Sequence, residues 1–116
     1  MAQSNNHALK LDHETFEWFK KAANQGDAKA QYNIGVMYDN GQYVQQDYKQ
    51  AFEWFKKAAN QGYAMAQYNI GIMYQNGQYV EQDSKQALEW FKKAVDQRHA
   101  MAQFGVKLMD IKKKVT

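Results

Sequence analysis

The sequence contains no cysteine and no proline among its 116 residues. Without cysteine, a disulfide scaffold, a thiolate nucleophile and a cysteine-ligated zinc site are excluded. No run approaches the roughly 18 apolar residues that a membrane-spanning helix needs, and residues 1–11 lack the apolar stretch of a signal peptide. We therefore expect a cytoplasmic protein, or a periplasmic or secreted one if a leader has been removed.

An excess of charge of one sign is also missing from most of the chain. The net charge is +3, but residues 107–116 carry four lysines against one aspartate, which leaves 11 charges of each sign in residues 1–106. A nucleic-acid-binding repeat would need a basic stripe along its surface. The sequence therefore argues against nucleic acid, RNA included, as a partner, and residues 112–116 are interpreted as a basic, solubilising C-terminal tail.

The composition is that of one small folded domain rich in glutamine, asparagine and aromatic residues. Aromatic residues make up 15% of the chain, far more than a disordered chain contains. The mean hydropathy of -0.83 comes with only 23% charged residues, because 15 glutamines and 8 asparagines supply much of the polarity.

An internal repeat dominates the sequence. The run Glu17–Ala22 recurs as Glu53–Ala58 and as Glu89–Ala94, with a period of 36 residues. Residues 17–52 and 53–88 are identical at 29 of 36 positions, and the third copy keeps 11 of 15 positions before it diverges. A period of this length is typical of arrays of stacked helical units.

Each period contains two helical patterns. Ala51, Trp54, Phe55, Ala58 and Ala59 form one apolar stripe, with Asp47 as N-cap and Gly62 as the stop. The pattern predicts an all-α fold of about six helices, at residues 12–25, 28–40, 47–61, 64–76, 83–97 and 99–112.

Several single residues have predicted structural roles. Gly35 and Gly71 lie inside helices, where glycine costs up to ~1 kcal/mol against alanine, so we expect another helix to approach closely there. Val44 and Val80 are predicted to anchor the loops, and Asp12 to cap the first helix. The tryptophans Trp18, Trp54 and Trp90 are predicted to pack in the core.

The pattern resembles the Sel1-like repeat, a relative of the tetratricopeptide repeat. The matching residues are the Ala-x-Ala-Gln-Tyr-Asn-Ile-Gly-x-Met-Tyr runs at 28–38 and 64–74, the Asn-Gly-x-x-Val loop, Asp47 and Asp83, and the Trp-Phe-containing runs. The resemblance implies an αα-hairpin solenoid with a right-handed superhelix, acting as a protein-interaction scaffold, here expected to be bacterial. We assign it to residues 12–111, preceded by a flexible segment at 1–11.

In tetratricopeptide relatives the first helix of each pair lines a concave groove, and the resemblance places the partner-binding candidates there. Tyrosine supplies rigid contact area, and an asparagine carboxamide can pair with a peptide backbone. The candidates are Lys29, Tyr32, Asn33, Val36, Met65, Tyr68, Asn69, Ile72, Met101 and Phe104.

Three functional hypotheses follow from these observations. The favoured one is a scaffold or adaptor that binds a partner protein or peptide segment in the groove. The second is a structural module that self-associates through its terminal half-repeats, and the third, disfavoured by the charge distribution, is an RNA-binding repeat. No phosphate loop or nucleophile motif is present, and His7, His13 and His99 lack metal-ligand spacing, so we expect no enzyme activity, cofactor or metal.

Overall fold

The computed structural model describes the backbone of residues 2–115 and the side chains of residues 12–100. Its described part contains five helices and no strand: α1 (Ala2–Asn24), α2 (Ala28–Asn40), α3 (Tyr48–Asn60), α4 (Ala64–Asn76) and α5 (Ser84–Val115). Each helix packs against the next one along the chain. The predicted all-α solenoid is confirmed.

Aspartates and glycines set the helix ends where the sequence predicted them. The Asp47 carboxylate accepts a hydrogen bond from the Gln50 backbone N–H (3.1 Å), and Asp83 does the same for Gln86 (3.1 Å). At the C-terminal end of α2, Gly41 adopts a left-handed conformation with φ of 67°. Glycine adopts this conformation without the steric cost that a Cβ imposes.

The core consists of two clusters that follow the repeat. One contains Phe55 and Ile70 with Trp90, and the other contains Phe16 and Ile34 with Trp54. In each cluster a tryptophan of the next unit closes the apolar interior of the preceding hairpin. The predicted loop anchors are confirmed, because Val44 and Val80 are half-buried against the two clusters.

Gly35 and Gly71 permit close packing between helices, as predicted. A Cβ built on Gly35 would lie 2.6 Å from the Phe55 ring of α3, and one on Gly71 would lie 2.5 Å from the Phe91 ring of α5. Both distances are shorter than van der Waals contact. The side chain that makes the close approach is an aromatic ring in each case.

The two ends of the array differ from the prediction. The last two predicted helices form one continuous helix, α5, and α1 begins at Ala2, so Asp12 lies inside it and is not a cap. Gly26 and Gly62 turn the chain with φ of 99° and 90°, whereas Arg98 occupies the equivalent position of α5. A residue with a Cβ resists positive φ, and arginine is a good helix former, so the helix continues.

The prediction that all three tryptophans pack in the core is wrong for Trp18. Trp54 and Trp90 are each 7% exposed, whereas Trp18 is 71% exposed. Each buried tryptophan fills the hairpin of the unit before it. Within the described residues no hairpin packs over Trp18, and the same residue type in the same repeat position faces solvent.

Candidate functional site

A groove of about 660 Å³ lies where α4 and α5 meet, with α2 at one edge. Its wall combines apolar and aromatic side chains with a few polar ones. The lining residues are Tyr32, Ala64, Met65, Tyr68, Asn69, Gln75, Phe91, Ala94, Val95 and Arg98. This set of ten residues is called the groove below.

Three of the groove's apolar side chains are about half exposed. Met65 is 53% exposed, Tyr68 is 54% exposed and Val95 is 48% exposed. The Tyr68 ring lies beside Phe91, with ring centroids 5.4 Å apart and a tilt of 43°. An exposed aromatic side chain beside a second ring is the arrangement that binding hot spots favour.

Tyr32 lies one period before Tyr68 and is packed differently. Its ring makes edge contacts with Phe55 (5.8 Å) and with Tyr63 (5.4 Å), the residue just before α4. The residue one period after Tyr63 is His99, which belongs to the straight part of α5. Because α5 does not turn back there, Tyr68 lacks the cover that Tyr63 gives to Tyr32.

Asn69 links the groove to a smaller cavity. Burial raises the pKa of Tyr32 above its usual value of 10.0, and the neighbouring Tyr63 raises it further. A side-chain hydrogen bond between Asn69 and Tyr32 acts in the opposite direction and lowers this pKa. Asn69 also lines a cavity of about 100 Å³ with Asp39 and Ile72. The Asn69 carboxamide therefore lies between the groove and a small cavity that contains the Asp39 carboxyl group.

The charges near the groove differ from one end to the other. Arg98 is exposed on the groove wall, and within residues 12–100 it has no ion-pair partner. Asp39 lies in the adjoining cavity, and burial raises the pKa of its carboxyl above 3.8. An acidic group would therefore be favoured beside Arg98.

The structure brings together four of the ten predicted site residues in the groove: Tyr32, Met65, Tyr68 and Asn69. Ile72 lines the adjoining cavity, and Val36 packs against the core cluster of Phe55. Lys29 is exposed and Asn33 half-buried, and neither lines the groove. Met101 and Phe104 lie outside the described side chains.

The sequence analysis missed the four groove residues that come from α5: Phe91, Ala94, Val95 and Arg98. Phe91 matches the core stripe of the repeat, so the pattern placed it inside. Val95 and Arg98, however, replace Ala59 and Gly62 of the preceding unit. These departures from an otherwise regular repeat were the available signal.

The described residues provide neither a metal site nor a membrane-spanning helix. Within residues 12–100, no group of three histidine, aspartate or glutamate side chains could hold a metal ion. No helix in the described part of the chain combines the length and apolar character that a membrane crossing requires. His7 lies outside the described side chains.

The repeat and the fold together identify the family. The model of the Sel1 repeat matches residues 9–27, 28–63 and 64–99. The chain belongs to the Sel1 repeat family. Sel1 repeat proteins generally mediate protein–protein interactions and generally act as non-catalytic scaffolds. A comparison with curated proteins gave no match.

Solved structures of bacterial proteins share the fold. A Sel1 repeat protein from Oxalobacter formigenes is 35% identical over 74% of this chain and 35% of its own, with a TM-score of 0.72. The protein c5321, a protective antigen of uropathogenic Escherichia coli, is 45% identical over 69% of this chain and 17% of its own, with a TM-score of 0.67. Helicobacter pylori cysteine rich protein B is 26% identical over 72% of this chain and 63% of its own, with a TM-score of 0.69. The matched parts therefore cover less than two thirds of each of these proteins.

Proposed function

We propose that this Sel1 repeat chain binds an extended segment of a partner protein in the groove. The observation that carries the proposal is the pair of half-exposed apolar side chains, Met65 and Tyr68, on the wall of a groove that also contains Phe91. A volume of about 660 Å³ accommodates one or two large side chains of a peptide. The family's role in protein–protein interaction supports this function.

The charges of the groove define the partner further. Arg98 has no ion-pair partner within the described side chains, and a carboxylate beside it would be favoured electrostatically. The partner segment we propose therefore has an aromatic or aliphatic anchor that packs on Tyr68 and an acidic residue that faces Arg98. Asn69 can pair with the backbone of such a segment.

Selection from a displayed random-peptide library, followed by calorimetry with the selected peptides, tests this function. Tyr68→Ala should weaken binding by about 30-fold or more, the effect of losing a hot-spot residue worth about 2 kcal/mol. Because Tyr68 is 54% exposed, the melting temperature of the Tyr68→Ala variant should differ little from that of the unaltered chain. Arg98→Glu should weaken binding of acidic peptides, and Arg98→Lys should largely retain it.

Tyr48→Ala is the matched control for this experiment. Tyr48 is 37% exposed and does not line the groove, so its removal should leave the peptide affinity unchanged. Equal losses from Tyr48→Ala and Tyr68→Ala would contradict binding in the groove. A Tyr68→Ala variant that loses stability and affinity together would show that Tyr68 is a packing residue.

A second candidate function is self-association through the first unit. It is favoured by Trp18, which is 71% exposed although its counterparts Trp54 and Trp90 are buried against a preceding hairpin. A second copy that covers this ring would complete the pattern of the array. Light scattering should then give a mass that rises with concentration, and Trp18→Ala should abolish the rise. A constant monomer mass for the unaltered chain would exclude this function.

A further inference from the structure

A second cavity, of about 570 Å³, lies between the α3–α4 turn and α5, and it shares no residue with the groove. Among its lining residues are Gly62, Gln67, Trp90 and Gln97. Gln67 is 5% exposed, and its Oε1 is the buried side-chain atom without a hydrogen-bond partner in the described part of the chain. Buried polar atoms in proteins are almost always paired, so a hydrogen-bond donor that reached this acceptor would be favoured.

The preceding unit shows which group such a site accepts. There, Gln31 is 6% exposed and donates its Nε2–H to the Ala23 carbonyl (3.1 Å). The Gln61 amide then donates to Gln31 Oε1 (2.8 Å) and to the Gly26 carbonyl (2.9 Å). A single –NH₂ group thus satisfies both acceptors.

One period later only half of this arrangement is present. Gln67 donates its Nε2–H to the Ala59 carbonyl (3.1 Å), in the same way as Gln31. Gln97 occupies the position of Gln61, and its Nε2 lies beside Gly62, 2.7 Å from where a Cβ would be. It makes no hydrogen bond to Gln67, because α5 runs straight through residue 98 whereas α3 ends before the turn at Gly62.

The charge of the cavity favours a neutral donor. Lys93 and Asp96 both line it, and their formal charges cancel. The Lys93 ammonium also lies 4.2 Å from the centroid of the Trp90 ring, a cation–π contact that holds it to one side. The remaining unpaired acceptor is a carboxamide oxygen, for which a neutral N–H donor is a suitable partner.

We propose that this cavity binds a primary carboxamide, the side chain of a glutamine or asparagine of a partner protein. The carboxamide would donate to Gln67 Oε1 and to the Gly62 carbonyl, as Gln61 does to Gln31 and Gly26 in the preceding unit. The Sel1 array would thereby have a second contact point that selects an amide side chain. This contact is independent of peptide binding in the groove.

Titration of the ¹⁵N-labelled full chain with propionamide, followed by NMR, tests the proposal. We expect a saturable shift of the Gln67 side-chain amide and of the Gly62 region at millimolar probe, as suits a ligand of about five non-hydrogen atoms. N,N-dimethylpropionamide keeps the carbonyl but has no N–H donor, and it should produce no saturable shift. Ethylammonium should not compete with propionamide.

Two variants make the experiment decisive. Gln61→Ala removes the internal amide of the preceding unit, so propionamide should gain a second site, reported by Gln31 and Gly26. Gln67→Met removes the acceptor and should abolish the original site. Gln61 is exposed, so its variant remains informative even if Gln67→Met does not fold.

Three results would overturn the proposal. The first is the absence of a saturable shift with propionamide, whether or not Gln97 is found to donate to Gln67 in solution. The second is an equal response to N,N-dimethylpropionamide, which would indicate apolar binding. The third is tighter binding of ethylammonium, which would make the cavity a cation site.

Discussion

The contrast between Trp54 and Trp18 gives a direct measure of what stacking contributes to this fold. Both follow a glutamate and precede a phenylalanine in the same repeat position. Trp54 is 7% exposed within the core cluster of Phe16 and Ile34, whereas Trp18 is 71% exposed. Replacing each with alanine therefore removes the same atoms from two different environments.

The expected magnitudes follow from the buried areas. A buried tryptophan removes about 200 Å² from water, which at ~25 cal/mol per Å² stabilises the fold by about 5 kcal/mol. Burial of the alanine side chain in its place would stabilise the fold by about 1 kcal/mol. Trp54→Ala should therefore lower the free energy of unfolding by about 4 kcal/mol, within the range for such truncations. The same arithmetic for Trp18, which is 71% exposed, gives about 1 kcal/mol.

Urea unfolding followed by far-UV circular dichroism is the appropriate assay. With a slope of about 2 kcal/mol per molar urea, the midpoint should fall by about 2 M for Trp54→Ala and about 0.5 M for Trp18→Ala. Trp90→Ala is a matched control, because Trp90 is also 7% exposed and should behave like Trp54. Equal losses for Trp18 and Trp54 would refute the reasoning.

Three further substitutions test other parts of the structure. Gly35→Ala should destabilise the chain by about 1 kcal/mol in urea unfolding, because the new Cβ meets the buried Phe55 ring and overpacking outweighs the gain in helix propensity; increased stability would contradict this packing. Burial raises the pKa of the Asp39 carboxyl in the folded state, so the folded chain keeps the Asp39 proton to higher pH than the unfolded chain does. The free energy of unfolding should therefore fall as pH rises through and above 3.8. Asp39→Asn should flatten that slope in urea midpoints measured across acidic pH, and an unchanged slope would assign it to another group. Arg98→Gly should permit a turn like those at Gly26 and Gly62, so solution scattering should give a radius of gyration below 17.9 Å; an unchanged radius would show that other residues keep α5 straight.

The candidate site was only partly predictable, for a physical reason. Tyr32 and Tyr68 occupy the same position of a nearly identical repeat, and local sequence cannot distinguish them. Tyr32 is covered by Tyr63, and Tyr68 is left half-exposed because α5 continues past Arg98. Phe91 matches the core stripe, yet it lines the groove for the same reason.

The sequence by itself determined the features that depend on local chemistry. The period of 36 residues established the repeat and, with its motifs, the family. Asp47, Gly41 and Gly62 fixed helix ends, because capping carboxylates and positive φ angles act over a few residues. The regular apolar stripe identified the faces that pack.

Only the tertiary structure decided what happens where the repetition ends. An aromatic ring is buried or exposed according to whether a neighbouring hairpin covers it, as Trp18 and Trp54 show. A glutamine is paired or unpaired according to how the next helix runs, as Gln31 and Gln67 show. Burial is a property of neighbours that are distant in sequence, so identical segments acquire different surfaces at different places in the array.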